Sequence, residues 1–319
     1  MAVNIKQLAE KPELLAGGHR ACAGCGGTIA IRQIMRAVEG HVVIGFATGC
    51  MEVVTTIYPY TSWRVPYIHN AFENSAATVS GVEAAYRSLK RQGKITKDIN
   101  FIAFGGDGGT YDIGLQSLSG VLERGHNMLY VCYDNEAYMN TGIQRSGSTP
   151  FGSATSTTPA GTAIPGKLQW KKPLTDICVA HGIPYAATAS PHNYRDLMGK
   201  VQKAQSIVGP KFLNVIASCN RGWRHVPDDA LESVRMAVES RIWPIYEVEN
   251  GVYTINYKPK DPIPVAEYLK AQGRFAHFFK PGNEHLLAAY EKGVEARWAW
   301  LVEMEESTRR VPFGGVFTR

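Results

Sequence analysis

The stretch Gly105-Gly106-Asp107-Gly108-Gly109-Thr110-Tyr111-Asp112, answered by Asp134-Asn135-Glu136-Ala137-Tyr138-Met139-Asn140-Thr141-Gly142, decides the fold. The apolar run Asn100-Phe101-Ile102-Ala103-Phe104 leads into it and reads as a buried strand bounded by glycine. Ile113 to Arg124 reads as a helix, and Met128-Leu129-Tyr130-Val131-Cys132-Tyr133 as a second buried strand. Strand, glycine turn, helix and strand make a βαβ unit. Its polar ends fall at the carboxyl ends of parallel strands, where open α/β sheets place ligands. Glycines let the backbone approach an anion, and the following helix offers free N–H groups to a phosphate. An acidic Asp107 beside a phosphate calls for a cation between them. Asp107 and the Asn135 amide are hard oxygen ligands of the kind Mg²⁺ accepts. The stretch reads as a magnesium–diphosphate site.

The 319 residues suffice for one large α/β domain or a domain with an appendage. An apolar fraction of 45% and a charged fraction of 19% fit a soluble globular protein. Net charge is +6, but Lys and Arg are scattered rather than striped, which argues against nucleic acid. No apolar run approaches the roughly 20 residues of a membrane span. Met1-Ala2-Val3-Asn4-Ile5-Lys6 lacks the layout of a signal peptide, so the expected location is cytoplasmic. There, six cysteines are expected to include metal ligands rather than structural disulfides.

Working outward, a short helix is expected around Ile5 to Ala9 and a longer one from Thr28 to Glu39. A buried strand follows at Val42–Phe46. A small-residue helix begins near Glu73, with Ser75 as its cap. The aromatic segment 58–63 reads as a packed loop, and Arg145 to Lys172 as a long irregular segment of the lid or subunit-contact kind. Helices at 175–181 and 194–207 alternate with strands at 183–188 and 211–217. The alternation indicates one doubly wound, mostly parallel α/β sheet over residues 1–225. Residues 226–319, with a helix at 229–241, a hairpin at 246–257 and a helix at about 283–306, read as an extension that covers or docks.

Cys22 and Cys25 form a C-x-x-C pair in a glycine loop, while Cys50 and Cys219 each end a predicted strand on the carboxyl edge. Four cysteines on one edge can hold a 4Fe-4S cluster or Zn²⁺. A structural zinc normally takes two pairs, and Cys50 and Cys219 are lone, which tilts the reading to iron–sulfur; spacing leaves both open. Cys132 and Cys178 lie on apolar faces and read as small packed hydrophobes. His19 and His69, without metal-site spacing, read as structural histidines.

The turn Gly106-Asp107-Gly108, followed by Asn135 beyond an apolar strand, resembles the thiamine-diphosphate motif. Gly18-His19-Arg20-Ala21-Cys22-Ala23-Gly24-Cys25, Ala47-Thr48-Gly49-Cys50 and Tyr138-Met139-Asn140-Thr141-Gly142-Ile143-Gln144 widen the likeness. Together they resemble the β subunit of 2-oxoacid:ferredoxin oxidoreductases, the pyruvate branch above all. The resemblance implies that Cys22, Cys25, Cys50 and Cys219 bind one 4Fe-4S cluster. It also implies that Asp107, the Asn135 side chain and the Ala137 carbonyl hold Mg²⁺ on thiamine diphosphate. Thr48, Gly49, Cys50, Gly106, Gly108 and Gly109 would border that cofactor, and Asn140 would face its thiazolium and the substrate.

The implied chemistry is oxidative decarboxylation of a 2-oxoacid, pyruvate first, with coenzyme A as acyl acceptor and ferredoxin as electron acceptor. Oxalate, 2-oxoisovalerate and 2-oxoglutarate stand as alternative substrates. α, γ and δ-type subunits are the implied partners, and the activating glutamate is expected from the α subunit. Glu52, Glu73 and Glu136 are therefore read as local hydrogen-bond acceptors. Two rival readings are a zinc-stabilised binding subunit with a vestigial cofactor fold and a non-redox thiamine decarboxylase.

Overall fold

The computed structural model describes residues 4–313. Eight strands form one sheet: β1 (His41–Ala47), β2 (Tyr67–Asn70), β3 (Ile99–Gly106), β4 (Leu129–Asp134), β5 (Tyr185–Ala189), β6 (Lys211–Ile216), β7 (Ile245–Glu249) and β8 (Val252–Tyr257). Their spatial order is β2-β1-β3-β4-β6-β5-β7-β8. The first six are parallel, and β7 and β8 run antiparallel at one edge. Every residue of β4, β5 and β6 is buried, as parallel strands covered on both faces require.

The helices are α1 (Ile5–Glu10), α2 (Gly26–Ala37), α3 (Cys50–Thr55), α4 (Ser75–Arg91), α5 (Leu115–Glu123), α6 (Leu174–Val179), α7 (Tyr194–Ser206), α8 (Ala230–Glu239), α9 (Val265–Lys270) and α10 (Glu284–Arg310). Strand alternation sends Ile102 and Phe104 into one core with Ile31 and Ile34 of α2 and Leu197 and Val201 of α7. Phe101 and Ala103 go to the opposite core, with Val79 of α4, Leu118 and Leu122 of α5 and Leu301 of α10. The sheet is doubly wound.

Several expectations are corrected. Strand β2, only four residues long with half-buried faces, carries too little apolar pattern to be legible. Asn74, not Ser75, occupies the cap position of α4; Ser75 opens the helix, and its buried hydroxyl has no partner. Helix α5 begins at Leu115 instead of Ile113, because Gly108–Ile113 first make a wide π turn. Thr110 pins that turn, its hydroxyl donating to the Gly106 carbonyl at 2.7 Å. Loop 58–63 packs through Ser62 and Trp63, whereas Tyr58 and Tyr60 are exposed.

The C-terminal hairpin forms as read, but it extends the main sheet by pairing β7 with β5. Helix α10 lies against β8, where the buried Glu305 accepts from the Ile255 N–H at 2.9 Å and pairs with Lys258 and Arg309. Burial alone would raise the Glu305 pKa; Lys258, the Ile255 N–H and Arg309 together hold it below the ordinary carboxylate range. Its value is thus lower folded than unfolded, so its contribution is present above that range and lost as pH falls through it. Lys258 and Arg309 are half-exposed or more, so solvent screens both pairings and only part of their attraction counts toward stability. Glu305→Gln should cost about 1–2 kcal/mol near neutral pH. In denaturant titrations the gap from the parent protein should shrink below about pH 4; a pH-independent gap would count against this.

Candidate active site at the carboxyl edge of the sheet

From β1 the chain moves outward to β2, then crosses back to β3 on the other flank of β1. That reversal is a switch point, and a crevice opens outside the strand ends there. Four neighbouring strands, β1, β3, β4 and β6, end in Cys50, Asp107, Asn135 and Cys219 in that spatial order. Thr48, Gly49 and Cys50 after β1, and Gly106 to Gly109 after β3, line one small cleft. Asn135, Ala137 and Asn140 after β4 complete it. The structure thus gathers residues up to 92 positions apart that were singled out separately: Thr48 and Asn140 face one crevice.

Glycine is required here by close approach. A Cβ at Gly108 would collide with the Tyr138 ring, which lies flat on the turn while its hydroxyl donates to the Gly108 carbonyl at 2.9 Å. At Gly109 an added Cβ would stand 2.9 Å from the Phe72 carbonyl oxygen. The Tyr133 hydroxyl is buried between Gly49 and Gly106 without a hydrogen-bond partner.

Asp107 is buried, and its second carboxylate oxygen accepts from the Ser146 hydroxyl. Burial first, and then the charge of Asp134, raise its pKa well above the ordinary range. With its amide nitrogen turned inward, Asn135 donates to Asp107 Oδ1 at 2.9 Å and to the Ala137 carbonyl at 2.8 Å. With its oxygen inward, three oxygens converge with no proton among them. Such a set suits a hard cation: carboxylate, amide and carbonyl oxygens are its preferred donors. The residues fit Mg²⁺.

Beneath the turn lies an ionic network no local pattern announced. Asp134 accepts from Tyr111, Ser148 and the Glu136 N–H, and pairs with Lys171 at 2.9 Å. Glu136, at φ 69°, pairs with Lys171 at 3.1 Å and with Arg274, itself buried. Burial would raise Glu136; Lys171 and Arg274 outweigh it and hold it below its ordinary value. Arg274 stacks on Trp223, whose indole donates to the Asn135 carbonyl at 2.8 Å. Segment 145–172 is irregular as read, and this network sharpens the reading: Ser146, Ser148, Thr149 and Lys167 are buried and Lys171 is partly buried, whereas 156–164 and 168–170 are largely exposed.

The C-x-x-C loop is tied to the end of β6, because the Gly26 N–H donates to the Ser218 carbonyl at 3.1 Å. Cys25 caps α2, Cys50 opens α3, and Cys219 precedes a π turn whose Gly222 N–H reaches its sulfur at 3.4 Å. All four are free thiols. Burial, then the neighbouring Cys219, Cys25 and Cys22, push Cys50 up to about 12, while the Asn140 amide acts the other way. Cys50 therefore senses the other three cysteines on one side and the cleft on the other. Among the described residues no three His, Cys, Asp or Glu side chains come as close as one metal ion would demand. Cys132 and Cys178 are buried in the core. His69 is satisfied by Glu52 at 2.7 Å, whereas His19 Nδ1 is buried without a partner.

Residues 47–215 match the family described as thiamine pyrophosphate enzyme, C-terminal TPP binding domain. The chain is 54% identical to the pyruvate synthase subunit PorB of Thermotoga maritima, over 98% of this chain and 99% of that one. To the PorB subunit of Methanocaldococcus jannaschii it is 57% identical, over 84% and 90% of the two chains. The chain belongs to the thiamine diphosphate-dependent 2-oxoacid oxidoreductases. Within that family, the ketoisovalerate oxidoreductase subunit VorB of Pyrococcus abyssi is 43% identical over 91% of this chain and 92% of that one. A solved 2-oxoglutarate:ferredoxin oxidoreductase from Magnetococcus marinus superposes with a TM-score of 0.53 at 19% identity, over 71% and 78% of the chains. That likeness concerns the fold. No helix among the described residues is long and apolar enough to cross a membrane.

The network makes a quantitative demand on this oxidoreductase subunit. Arg274→Met leaves Glu136 buried with Lys171 as its remaining cation, and should cost about 3 kcal/mol in chemical denaturation. Adding Glu136→Gln to that variant should recover part of the loss, since the unpaired charge goes too. Additive effects in the double-mutant cycle would show that the pair is not coupled.

Proposed function

We propose that this chain is the thiamine-diphosphate-binding β subunit of a 2-oxoacid:ferredoxin oxidoreductase acting on pyruvate. One observation carries the reading: Cys50 and the Asp107–Asn135 turn share the wall of one cleft. Bound there, thiamine diphosphate would supply the carbanion chemistry of decarboxylation, and an adjacent 4Fe-4S cluster would accept electrons. Asp107 Oδ1, Asn135 Oδ1 and the Ala137 carbonyl would hold Mg²⁺ on the diphosphate. Gly106, Gly108 and Gly109 leave the backbone bare where that anion arrives, with Thr48 and Gly49 opposite. Asn140, on the same wall and beside Cys50, would face the reacting end of the cofactor and the substrate.

Cys22, Cys25, Cys50 and Cys219 are assigned to the cluster. The influence of Cys219, Cys25 and Cys22 on Cys50 supports one shared centre for the four. The cleft measures about 20 Å³, room for roughly one water. The remaining wall of the cofactor site, with its activating acid, would therefore come from a partner subunit of the α type. γ and δ-type subunits would carry electrons on to ferredoxin, and coenzyme A would take the acyl group. The PorB relatives are named as subunits of pyruvate synthase, which supports an assembly of this kind. The likeness to VorB makes 2-oxoisovalerate the second substrate to test.

With coenzyme A and methyl viologen, the purified complex should turn over pyruvate with the highest kcat/KM of a 2-oxoacid panel; a branched 2-oxoacid winning would shift the substrate assignment. Asp107→Asn should weaken Mg²⁺-dependent retention of thiamine diphosphate by about 100-fold or more, at least the loss typical of outer-shell metal partners. Retained cofactor in that variant would remove Asp107 from the site. Anaerobic Cys50→Ser and Cys219→Ser proteins should lose the cluster's visible absorbance and its EPR signal after reduction. A colourless, zinc-loaded parent protein would sink the cluster assignment.

A further inference from the structure

The hydrogen-bond ladder between β4 and β6 closes where the Ala217 N–H donates to the Asp134 carbonyl at 2.8 Å. Just beyond Asp134 stands Asn135, and shortly beyond Ala217 stands Cys219. The two chains part there, one towards the Asp107 turn and the other into a wide π turn, Asn220–Arg224. Among the described residues, a single hydrogen bond rejoins 135–140 to 219–224, and a side chain makes it. The Trp223 indole donates to the Asn135 carbonyl at 2.8 Å.

The other end of Trp223 is fixed to the cysteine site. Its backbone N–H donates to the Cys219 carbonyl at 2.8 Å, and the preceding Gly222 N–H reaches the Cys219 sulfur at 3.4 Å. Met139, which lines the Asp107–Asn135 cleft, packs its thioether on that turn: a Cβ at Gly222 would stand 2.2 Å from Met139 Sδ. Trp223 is fully buried, with the Arg274 guanidinium 4.3 Å from its ring centre and Tyr268 set edge-on at 6.4 Å. Arg274 in turn pairs with Glu136, next to Asn135 in the chain. So held, the indole has no room to tilt by itself. Close-packed interiors transmit strain instead of absorbing it. A shift of the Asn135 backbone therefore reaches the Cys219 turn through one rigid ring.

We propose that Trp223 is a positioning residue that couples the diphosphate turn to the cysteine site, so that filling either one alters the other. The inference rests on the assignment of thiamine diphosphate and a 4Fe-4S cluster made above. Hydrogen bonds to the sulfurs help to set a cluster's reduction potential. The Gly222 N–H at Cys219 is such a bond, and the turn that carries it is tied to Asn135. Coupling of this kind is reciprocal. Reducing the cluster changes the affinity for the cofactor by the same factor as the cofactor changes the reduction equilibrium.

Two measurements on the anaerobically purified complex test this. Amide hydrogen exchange of 220–224 should slow at least about fivefold when Mg²⁺ and thiamine diphosphate are added, although none of those residues lines the cleft. Thiamine diphosphate affinity should differ by at least about fivefold between oxidised and reduced protein, the lower end of typical coupling between sites. Trp223→Phe, which keeps an aromatic ring and removes the donor, should lower that ratio by about threefold or more. Direct attraction between the charges is the same in both proteins, so the fall isolates the share of the indole. With cluster and cofactor both present, unchanged exchange at 220–224, a ratio near one in the unaltered protein, or an equal ratio in Trp223→Phe would each overturn the inference. A complex that holds no cluster or no thiamine diphosphate would instead overturn the assignment, and the inference with it. The exchange measurement decides the matter even where the variant does not fold.

Discussion

Three carboxylates, Asp107, Asp134 and Glu136, are buried together at one edge of the sheet, and two protein cations, Lys171 and Arg274, answer them. Burying charge is expensive unless it is paired. The imbalance of one negative charge sits on Asp107, the carboxylate that faces the cleft. A divalent cation there would complete the balance. The residue whose burial is costly in the isolated fold is thus the one proposed to hold that cation.

Much of the chain's irregular structure serves that network. Segment 145–172 has no helix or strand of its own, yet its ends carry hydroxyls and a lysine to carboxylates on strand ends. Arg274 arrives from the C-terminal region and stacks on Trp223, which in turn holds the Asn135 carbonyl. Residues beyond 226 thus brace the Asn135 strand end from below while β7 and β8 close the edge of the sheet. In a chain whose partner subunit would supply the opposite wall, this half of the site must keep its shape without help.

The cysteine side obeys a different logic. Cys25, Cys50 and Cys219 each stand where a helical turn begins, and a backbone N–H already points at Cys219. Burial disfavours bare thiolates here, as the raised Cys50 shows, and iron would reverse that by taking their charge. Asn140 touches both regions, beside Cys50 and within the cleft of Asp107 and Asn135. That closeness of Cys50 to the cleft follows from adjacent strands in the sheet order rather than from any special linker.

Sequence alone determined the βαβ unit, the alternation of strands and helices, and the residues at strand ends, because these are local patterns of apolar periodicity and glycine. Asp107 and Asn135 stand out at strand ends and Cys22 and Cys25 as a close pair, whereas the lone Cys50 and Cys219 were joined to that pair only by resemblance to a family. Tertiary structure decided which strand ends became neighbours, since the order β1-β3-β4-β6 depends on crossovers that no segment encodes by itself. It also decided the partners of the buried charges. Glu136 and Arg274 are 138 residues apart, and only the packing of the C-terminal region onto the sheet brings them into one low-dielectric space. Local patterns specify what each segment prefers. The cost of burying charge specifies how distant segments must meet.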